Sequence, residues 1–237
     1  MTTSRAERRE DVTGRILEIG RRHLAQHGAA GLSLRAVTRD LGMVSSAVYR
    51  YVANRDELLT LLLVDSYTAQ ADAVDAAVAT ASDRSWAARV VAGAAAFRAW
   101  AVAEPSRYAL LYGSPVPGYA APPEVTIEPG TRVVSALLRL VGEGVAAGEV
   151  VDGPGRAGSW ATVEQVVSED LAAVADEVGM DVHPAVMGRA VLLWATIVGA
   201  TSLEVFGQYG ADTFRDPEAV FLLQVDQALA ILRGTPD

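Results

Sequence analysis

Between Ser33 and Arg55 the chain gathers side chains suited to hydrogen-bonding an anionic polymer. Ser33, Ser45 and Ser46 bring hydroxyls, Tyr49 and Tyr51 bring phenols, and Arg35, Arg50 and Arg55 bring guanidinium groups. Hydroxyls, phenols and backbone N–H groups satisfy phosphate oxygens, and an arginine can fork onto the O6 and N7 acceptors of guanine. No nucleophile elbow or phosphate-binding loop accompanies them. The chemistry on offer is recognition rather than reaction.

For these groups to act together, the local structure must present them on one surface. Leu34, Val37 and Leu41 follow the i, i+3, i+7 spacing of an amphipathic helix, and Gly42 suits the left-handed position that ends one. A second helix is predicted to start at Ser45 or Ser46, with Val48 and Val52 on its buried side. That leaves Ser45, Ser46, Tyr49 and Arg50 facing outward. Tyr49 and Tyr51 are two residues apart, so one packs while the other points to solvent. Two short helices joined by a tight turn make a helix-turn-helix, whose second helix enters the DNA major groove. A preceding helix is predicted from about Asp11 to His27, with Val12, Ile16, Ile19 and Leu24 on one side and Gly28 closing it. A long helix follows, capped by Asn54 with Glu57 reaching back, and Asp56 and Glu57 meet the positive end of its dipole. Ser33 caps the helix that carries Arg35. Arg5, Arg8 and Arg9 form either an arm along the duplex or a solubilising terminus.

His27-Gly28, Gly31 to Val37, Leu41-Gly42, Val48 to Val52 and Asn54 to Leu58 keep a set of offsets. Together they closely resemble the DNA-binding domain of the TetR family of bacterial repressors. Two positions depart from that pattern. Val44 stands where the family usually has a small hydroxyl residue, which moves the expected cap of the recognition helix to Ser45; Val52 replaces a usual Phe, which thins the local core. The resemblance implies phosphate contacts from Tyr49 and Tyr51, a base or backbone contact from Arg35, and Arg55 in the place of a phosphate-binding lysine.

More weakly, Phe97 to Pro122 and Trp194 to Gly207 resemble TetR-type ligand-binding domains, with Val198 where relatives often carry a histidine. This implies an effector cavity near Phe97, Trp100, Glu104, Tyr108 and Tyr112, taking an apolar or aromatic small molecule. Glu104 either selects a cationic effector or is an exposed helix-end carboxylate. The resemblance also implies a homodimer, paired through helices at about 184–206 and 217–233. Their apolar residues include Val191, Leu192, Trp194, Ile197, Val198 and Leu203, then Val220, Leu223, Leu229 and Ile231. Ala195, Gly199, Ala200 and Ser202 are small enough for close helix crossing.

The wider chain suits that division of labour. Its 237 residues can hold one large or two modest domains, and half of them are hydrophobic, as in a globular protein. The net charge of −9 looks wrong for a DNA binder, but it is unevenly spread. The first sixty residues hold ten arginines against seven acids, the remainder ten against twenty-two: a basic head on an acidic body. With no cysteine, disulfides and thiolate metal sites are excluded. No secretion signal is visible at the N-terminus, and the apolar run Ala190 to Leu203 stops at Glu204, short of a membrane span. A soluble, cytoplasmic protein is expected.

Beyond Ser82 helices are predicted at Trp86 to Ala103, Pro105 to Tyr112, Thr131 to Ala147, Ser159 to Val178, Pro184 to Phe206 and Pro217 to Arg233. The proline-rich stretch Gly113 to Pro129 is predicted to be a surface loop. The expected fold is all-α: a three-helix helix-turn-helix domain over residues 1–57, with its linker helix from about 55, then a helical effector-binding and dimerisation domain over 58–237.

Two other readings compete. Gly153-Pro-Gly-Arg-Ala-Gly158 is a literal GxGxxG after Val150-Val151, with Asp170 and Asp176 about twenty residues on, as an NAD(P)-dependent oxidoreductase requires. Such a site needs alternating strands and helices, which the pattern lacks. A helical interaction adaptor is the other. His23 and His27, at i and i+4, form a possible metal pair without an evident third ligand. Neither a cofactor nor a metal is expected, and the leading expectation is a DNA-binding transcriptional regulator without enzymatic activity.

Overall fold

The computed structural model describes residues 5–153, 179 and 182–234. The predicted helix at Ser159 to Val178, and Pro154 to Gly158 of the glycine motif with Asp170 and Asp176, lie outside the described residues. Among the described residues the fold is all-α: α1 (Arg5–His27), α2 (Leu34–Asp40), α3 (Ser45–Val48), α4 (Arg55–Thr80), α5 (Trp86–Ala103), α6 (Pro105–Tyr112), α7 (Pro123–Ala146), α8 (Pro184–Val205) and α9 (Pro217–Arg233), with no strand.

The chain divides into two compact units. One joins the sequence up to Ala69 with Glu104–Gly130, and the other joins Gln70–Ala103 with the sequence from Thr131 onward. The boundary expected at 57/58 therefore falls elsewhere. The first unit takes in the first half of α4, all of α6 and the start of α7, because Leu110, Val116 and Tyr119 pack against the head's own core. Tyr119 also brings its hydroxyl within 2.9 Å of Thr60 Oγ1.

The core of the head follows the periodicity of its helices. Ile16 of α1, Val37 of α2, Val48 of α3, Val52, and Leu58, Leu59 and Leu62 of α4 are all fully buried. Each such side chain contributes about 1.5–3 kcal/mol when taken out of water. Gly42 (φ +67°) ends α2 in the left-handed conformation and returns its N–H to the Arg39 carbonyl at 3.1 Å. Gly31 is needed for a different reason: a Cβ there would lie 2.5 Å from the His27 carbonyl oxygen. At the start of α4, Asn54 Oδ1 accepts from the Glu57 N–H at 2.8 Å, and Glu57 Oε2 accepts from the Ala53 N–H at 2.5 Å.

Two expectations need correction. The loop predicted over Gly113 to Pro129 ends at Pro122, since α7 begins at Pro123. Proline is well suited to the first turn of a helix, where its missing N–H has no intrahelical partner, so Pro123 starts α7 rather than preventing it. Pro129 lies inside the helix at the cost of one hydrogen bond. At the other end, α1 begins at Arg5, so Arg5, Arg8 and Arg9 belong to a helix and not to an extended arm.

In the second unit, α5 buries Trp86, Val90, Ala94 and Phe97. Trp86 Nε1 donates to the Leu140 carbonyl of α7 at 2.5 Å. Arg98 of α5 forks onto Glu204 at 2.7 and 2.6 Å and reaches Glu218 at 3.3 Å, tying α5 to the end of α8 and the start of α9. Burial works against the charge of this guanidinium, yet Glu204 and then Glu218 carry its pKa above the ordinary value. By length and composition α8 is apolar enough to cross a membrane, more so than the run from Ala190 suggested. A core helix passes the same test, and α8 buries Val186, Ala190, Leu193 and Ile197 together with Arg189.

Candidate nucleic-acid interface and body cavity

The residues expected to touch DNA fall into two groups. Ser33, Arg35, Ser46, Tyr49 and Arg50 are exposed around α2 and α3. Ser33 is in extended conformation (φ −128°, ψ 112°) and its Oγ accepts from the Ala36 N–H at 3.4 Å, so it caps α2 and starts the helix that carries Arg35. Val48 and Val52 anchor α3 from beneath while Tyr49 stays 47% exposed. Tyr51 is half-buried and packs on the head's core, the division expected for two tyrosines two residues apart. The helix is a short one, and it begins at Ser45 with Val44 ahead of it; the Val44 carbonyl accepts from the Ala47 N–H at 2.9 Å. Ser45 is thus the first helical residue rather than the cap that precedes it.

Arg55 belongs to the second group. Its Nε donates to the Leu32 carbonyl at 3.1 Å, and its Nη2 donates to the carbonyls of Ala29 and Ala30 at 3.0 and 3.2 Å. The guanidinium is engaged in holding the α1–α2 loop, which sets where Ser33 and Arg35 stand. Arg55→Ala is therefore expected to destabilise the head by about 1–3 kcal/mol, the cost of leaving carbonyls and loop unheld, and to weaken all DNA sequences alike. Denaturant unfolding beside gel shifts checks this; unchanged stability with a reduced salt slope would instead make Arg55 a direct phosphate contact.

His23, one half of the possible metal pair with His27, has a partner in Asp40. The His23 ring is buried, with Nε2 2.7 Å from Asp40 Oδ2 at the end of α2, and the two histidine rings meet edge-on, 5.7 Å apart. Among the described residues no group of three or more His, Asp or Glu could hold a metal. The hydrogen bond from His23 holds the Asp40 carboxyl below its ordinary value. A carboxyl with a lowered folded pKa stabilises above the ordinary carboxylate range, and that contribution is lost as pH falls through the lowered value. Asp40→Asn should therefore show a shallower loss of stability than the parent between neutrality and about pH 3, read by urea unfolding at each pH.

Sequence reasoning missed an ion-pair network inside the first unit. Asp65 of α4 accepts both oxygens' worth of contact from Arg21 Nη1 of α1, at 3.0 Å each, and from Arg107 Nη2 of α6 at 2.9 Å. Arg107 also donates to Ser66 Oγ and the Asp65 carbonyl. Burial pushes its pKa below the usual arginine value, opposed by Asp65 and Glu104. The one sequence signal was a lone acid in the apolar stretch of α4.

The second unit holds a narrow cavity of about 20 Å³, whose lining includes Val78, Gly93, Phe97, Leu137, Trp194 and Ile197. The Phe97 and Trp194 rings meet edge-on at 5.6 Å. Of the expected ligand residues only Phe97 lines it. Trp100 lies on α5 outside that lining, and Glu104, Tyr108 and Tyr112 belong to the first unit. There Glu104 precedes α6, with Oε2 3.8 Å from Arg107 Nη1, and Tyr108 is fully buried against Tyr112, ring centroids 4.9 Å apart. Burial raises the Tyr112 phenol far above its ordinary pKa. The residue run is continuous in sequence, but α5 ends at Ala103 and the chain passes into the other unit.

Comparison with known proteins decides what this arrangement belongs to. The family described as "Tetracyclin repressor-like, C-terminal domain" matches residues 90–228. The HTH-type transcriptional regulator Rv1816 of Mycobacterium tuberculosis is 51% identical over 230 residues, covering 96% of this chain and 95% of its own. The chain belongs to the TetR family. The HTH-type transcriptional regulator Mb1846 of Mycobacterium bovis is equally similar, at 51% over 230 residues and the same coverage of 96% and 95%. The crystal structure of SCO4313 superposes with a TM-score of 0.73 at 32% identity, covering 96% of this chain and 100% of that one. A TetR-family regulatory protein from Rhodococcus RHA1, at 17% identity and TM-score 0.59 over 95% and 98% of the chains, shares the fold. This TetR-family protein is a DNA-binding transcriptional regulator.

The oxidoreductase reading called for a strand ahead of the glycine motif, and among the described residues none precedes it. Val150 lies in a bend and Val151 in irregular backbone, neither in a strand, and the Arg189 guanidinium binds the carbonyls of Val151 and Gly153.

Proposed function

We propose that this TetR-family regulator is a homodimeric, ligand-responsive repressor that binds a palindromic operator in the bacterial cytoplasm and carries out no catalysis. The observation that carries the reading is the surface of the helix-turn-helix: Ser33, Arg35, Ser46, Tyr49 and Arg50 stand exposed above a fully buried Val37, Val48 and Val52. Arg35 and Ser46 stand on α2 and α3, Ser33 caps α2, and Tyr49 and Arg50 occupy the turn between the buried Val48 and Val52. Groups that hydrogen-bond phosphates and base edges are thus carried over a packed core. Tyr51 and the first residue of α3, Ser45, complete the proposed contact surface.

Support for the dimer comes from α8 and α9. Val191 (46%), Leu203 (37%), Leu223 (64%) and Ile231 (44%) are exposed there, around a groove of about 440 Å³ that includes Leu192, Ala195, Gly199 and Gln224. Some residues expected in that interface point elsewhere: Ile197 and Leu229 are buried within their own unit, and Trp194 lines the cavity. A second copy covering the open face would make a four-helix interface. Two recognition helices then stand about one DNA turn apart, roughly 34–36 Å, which calls for an inverted repeat.

For the effector, the cavity lining argues for a neutral apolar or aromatic molecule, since a charged group there would have no partner. At its present volume it admits little more than a water-sized probe, so binding must part the helices around it. Release follows only if the molecule prefers the non-binding arrangement. The test is selection from random DNA with purified protein, then a screen of small molecules for release. Inverted repeats and release by neutral apolar compounds are expected; unsymmetric sites, or release by ionised compounds only, would contradict the reading.

A further inference from the structure

From Glu7 to Trp100 two large apolar side chains are exposed, Val44 at 72% and Tyr49 at 47%. They flank α3, one residue before its first turn and one after its last. Every other large aliphatic or aromatic side chain in that stretch is buried or half-buried. Met43, the neighbour of Val44, packs against the head's core. The turn that begins at Gly42 therefore sends one of two consecutive apolar side chains inward and the other outward.

Nothing in the fold calls for a valine at this position. A β-branched aliphatic cannot accept a hydrogen bond from the first N–H groups of the helix, as a Ser or Thr would. At 72% exposure it also adds little to the core. Along the same stretch of chain, Ser33, Arg35, Ser46 and Arg50 expose hydroxyls and guanidinium groups, which read donors and acceptors. Along the base edges of the major groove, the one apolar group on offer is the C5-methyl of thymine. An aliphatic side chain placed among polar readers adds the contact that those readers cannot make.

We propose that Val44 is a specificity-determining residue that reads the C5-methyl of a thymine in each half of the operator. The proposal rests on the helix-turn-helix being the DNA-binding surface, and it adds a sequence preference to that surface. Tyr49, at the other end of α3, keeps a phenol for hydrogen bonding and so does not serve this purpose alone. Duplexes synthesised without modified cytosine leave thymine as the sole source of the methyl.

The experiment uses the full-length protein and a duplex selected from a random library. Each thymine of the selected sequence is replaced in turn by deoxyuridine, which lacks the methyl and pairs identically. For the parent protein, one symmetric pair of replacements is expected to weaken binding about three- to tenfold, the worth of a buried methyl in each half-site. Val44→Ser removes both side-chain methyls while supplying a hydroxyl able to cap α3, so folding is preserved and can be checked by melting. It should bind the thymine and uracil duplexes equally. No uracil penalty at any position of the parent, or the same penalty in Val44→Ser, would overturn the assignment while DNA binding stands. A parent protein that selects no sequence would remove the helix-turn-helix reading and the assignment together.

Discussion

Replacing both Tyr49 and Arg50 with alanine is expected to weaken operator binding at least about a hundredfold while leaving the folded protein intact. Each side chain is exposed, and the core beneath them consists of Val48, Val52 and the leucines of α4. Direct contacts of this kind are worth about 1–3 kcal/mol each, and a two-fold operator would lose them in both halves. Exposed substitutions away from packed features change stability by about 0.5 kcal/mol or less, so the melting curve should hardly move. Gel shifts and thermal melts on the same preparations separate the two effects. Binding equal to that of the parent would show that the turn following α3 does not carry the contacts.

The largest loss of stability is expected from Asp65→Ala. Its carboxylate is shared by Arg21 and Arg107, whose side chains lie 37% and 9% exposed, and Asp65 itself is 19% exposed. Removing one member of a buried pair typically costs about 3–5 kcal/mol, and the more exposed Glu104, 3.8 Å from Arg107, is a weaker substitute for the lost carboxylate. Arg107 is the member that cannot escape to solvent. A compensated double replacement, Asp65→Leu with Arg107→Met, should recover much of that loss, because a buried pair is often matched by apolar residues of similar size. Denaturant unfolding of the two variants tests this. A single variant within about 1 kcal/mol of the parent would mean that water reaches Arg107 and that the network is ornamental.

The head was legible in the sequence because its signals are local. Ser33 and Asn54 cap the helices that follow them, Gly42 ends α2, and the spacing of Leu34, Val37 and Leu41 marks the buried face; each depends on residues a few positions apart. The parts that were not legible depend on distant partners. Arg55 reads as a surface charge until the carbonyls of Ala29, Ala30 and Leu32 are brought to it. Asp65 reads as an exposed acid until Arg107, 42 residues away, folds over it. Phe97 and Tyr108 look like one aromatic cluster in the sequence, but they pack in different compact units. On α8 apolar residues run around the helix, so periodicity could not separate Ile197, buried in its own unit, from the exposed Val191. The prolines of 113–129 resemble loop signals, although Pro123 sits where a helix accepts one.

The claim that the rest depends on is that α3 enters the major groove. Methylation of guanine N7, a major-groove acceptor, interferes with binding wherever that edge is approached. On a selected operator, two clusters of interference are expected, centred about ten base pairs apart and related by the symmetry of the site. Binding that tolerates N7 methylation throughout the operator would place the protein elsewhere on the duplex and contradict the account.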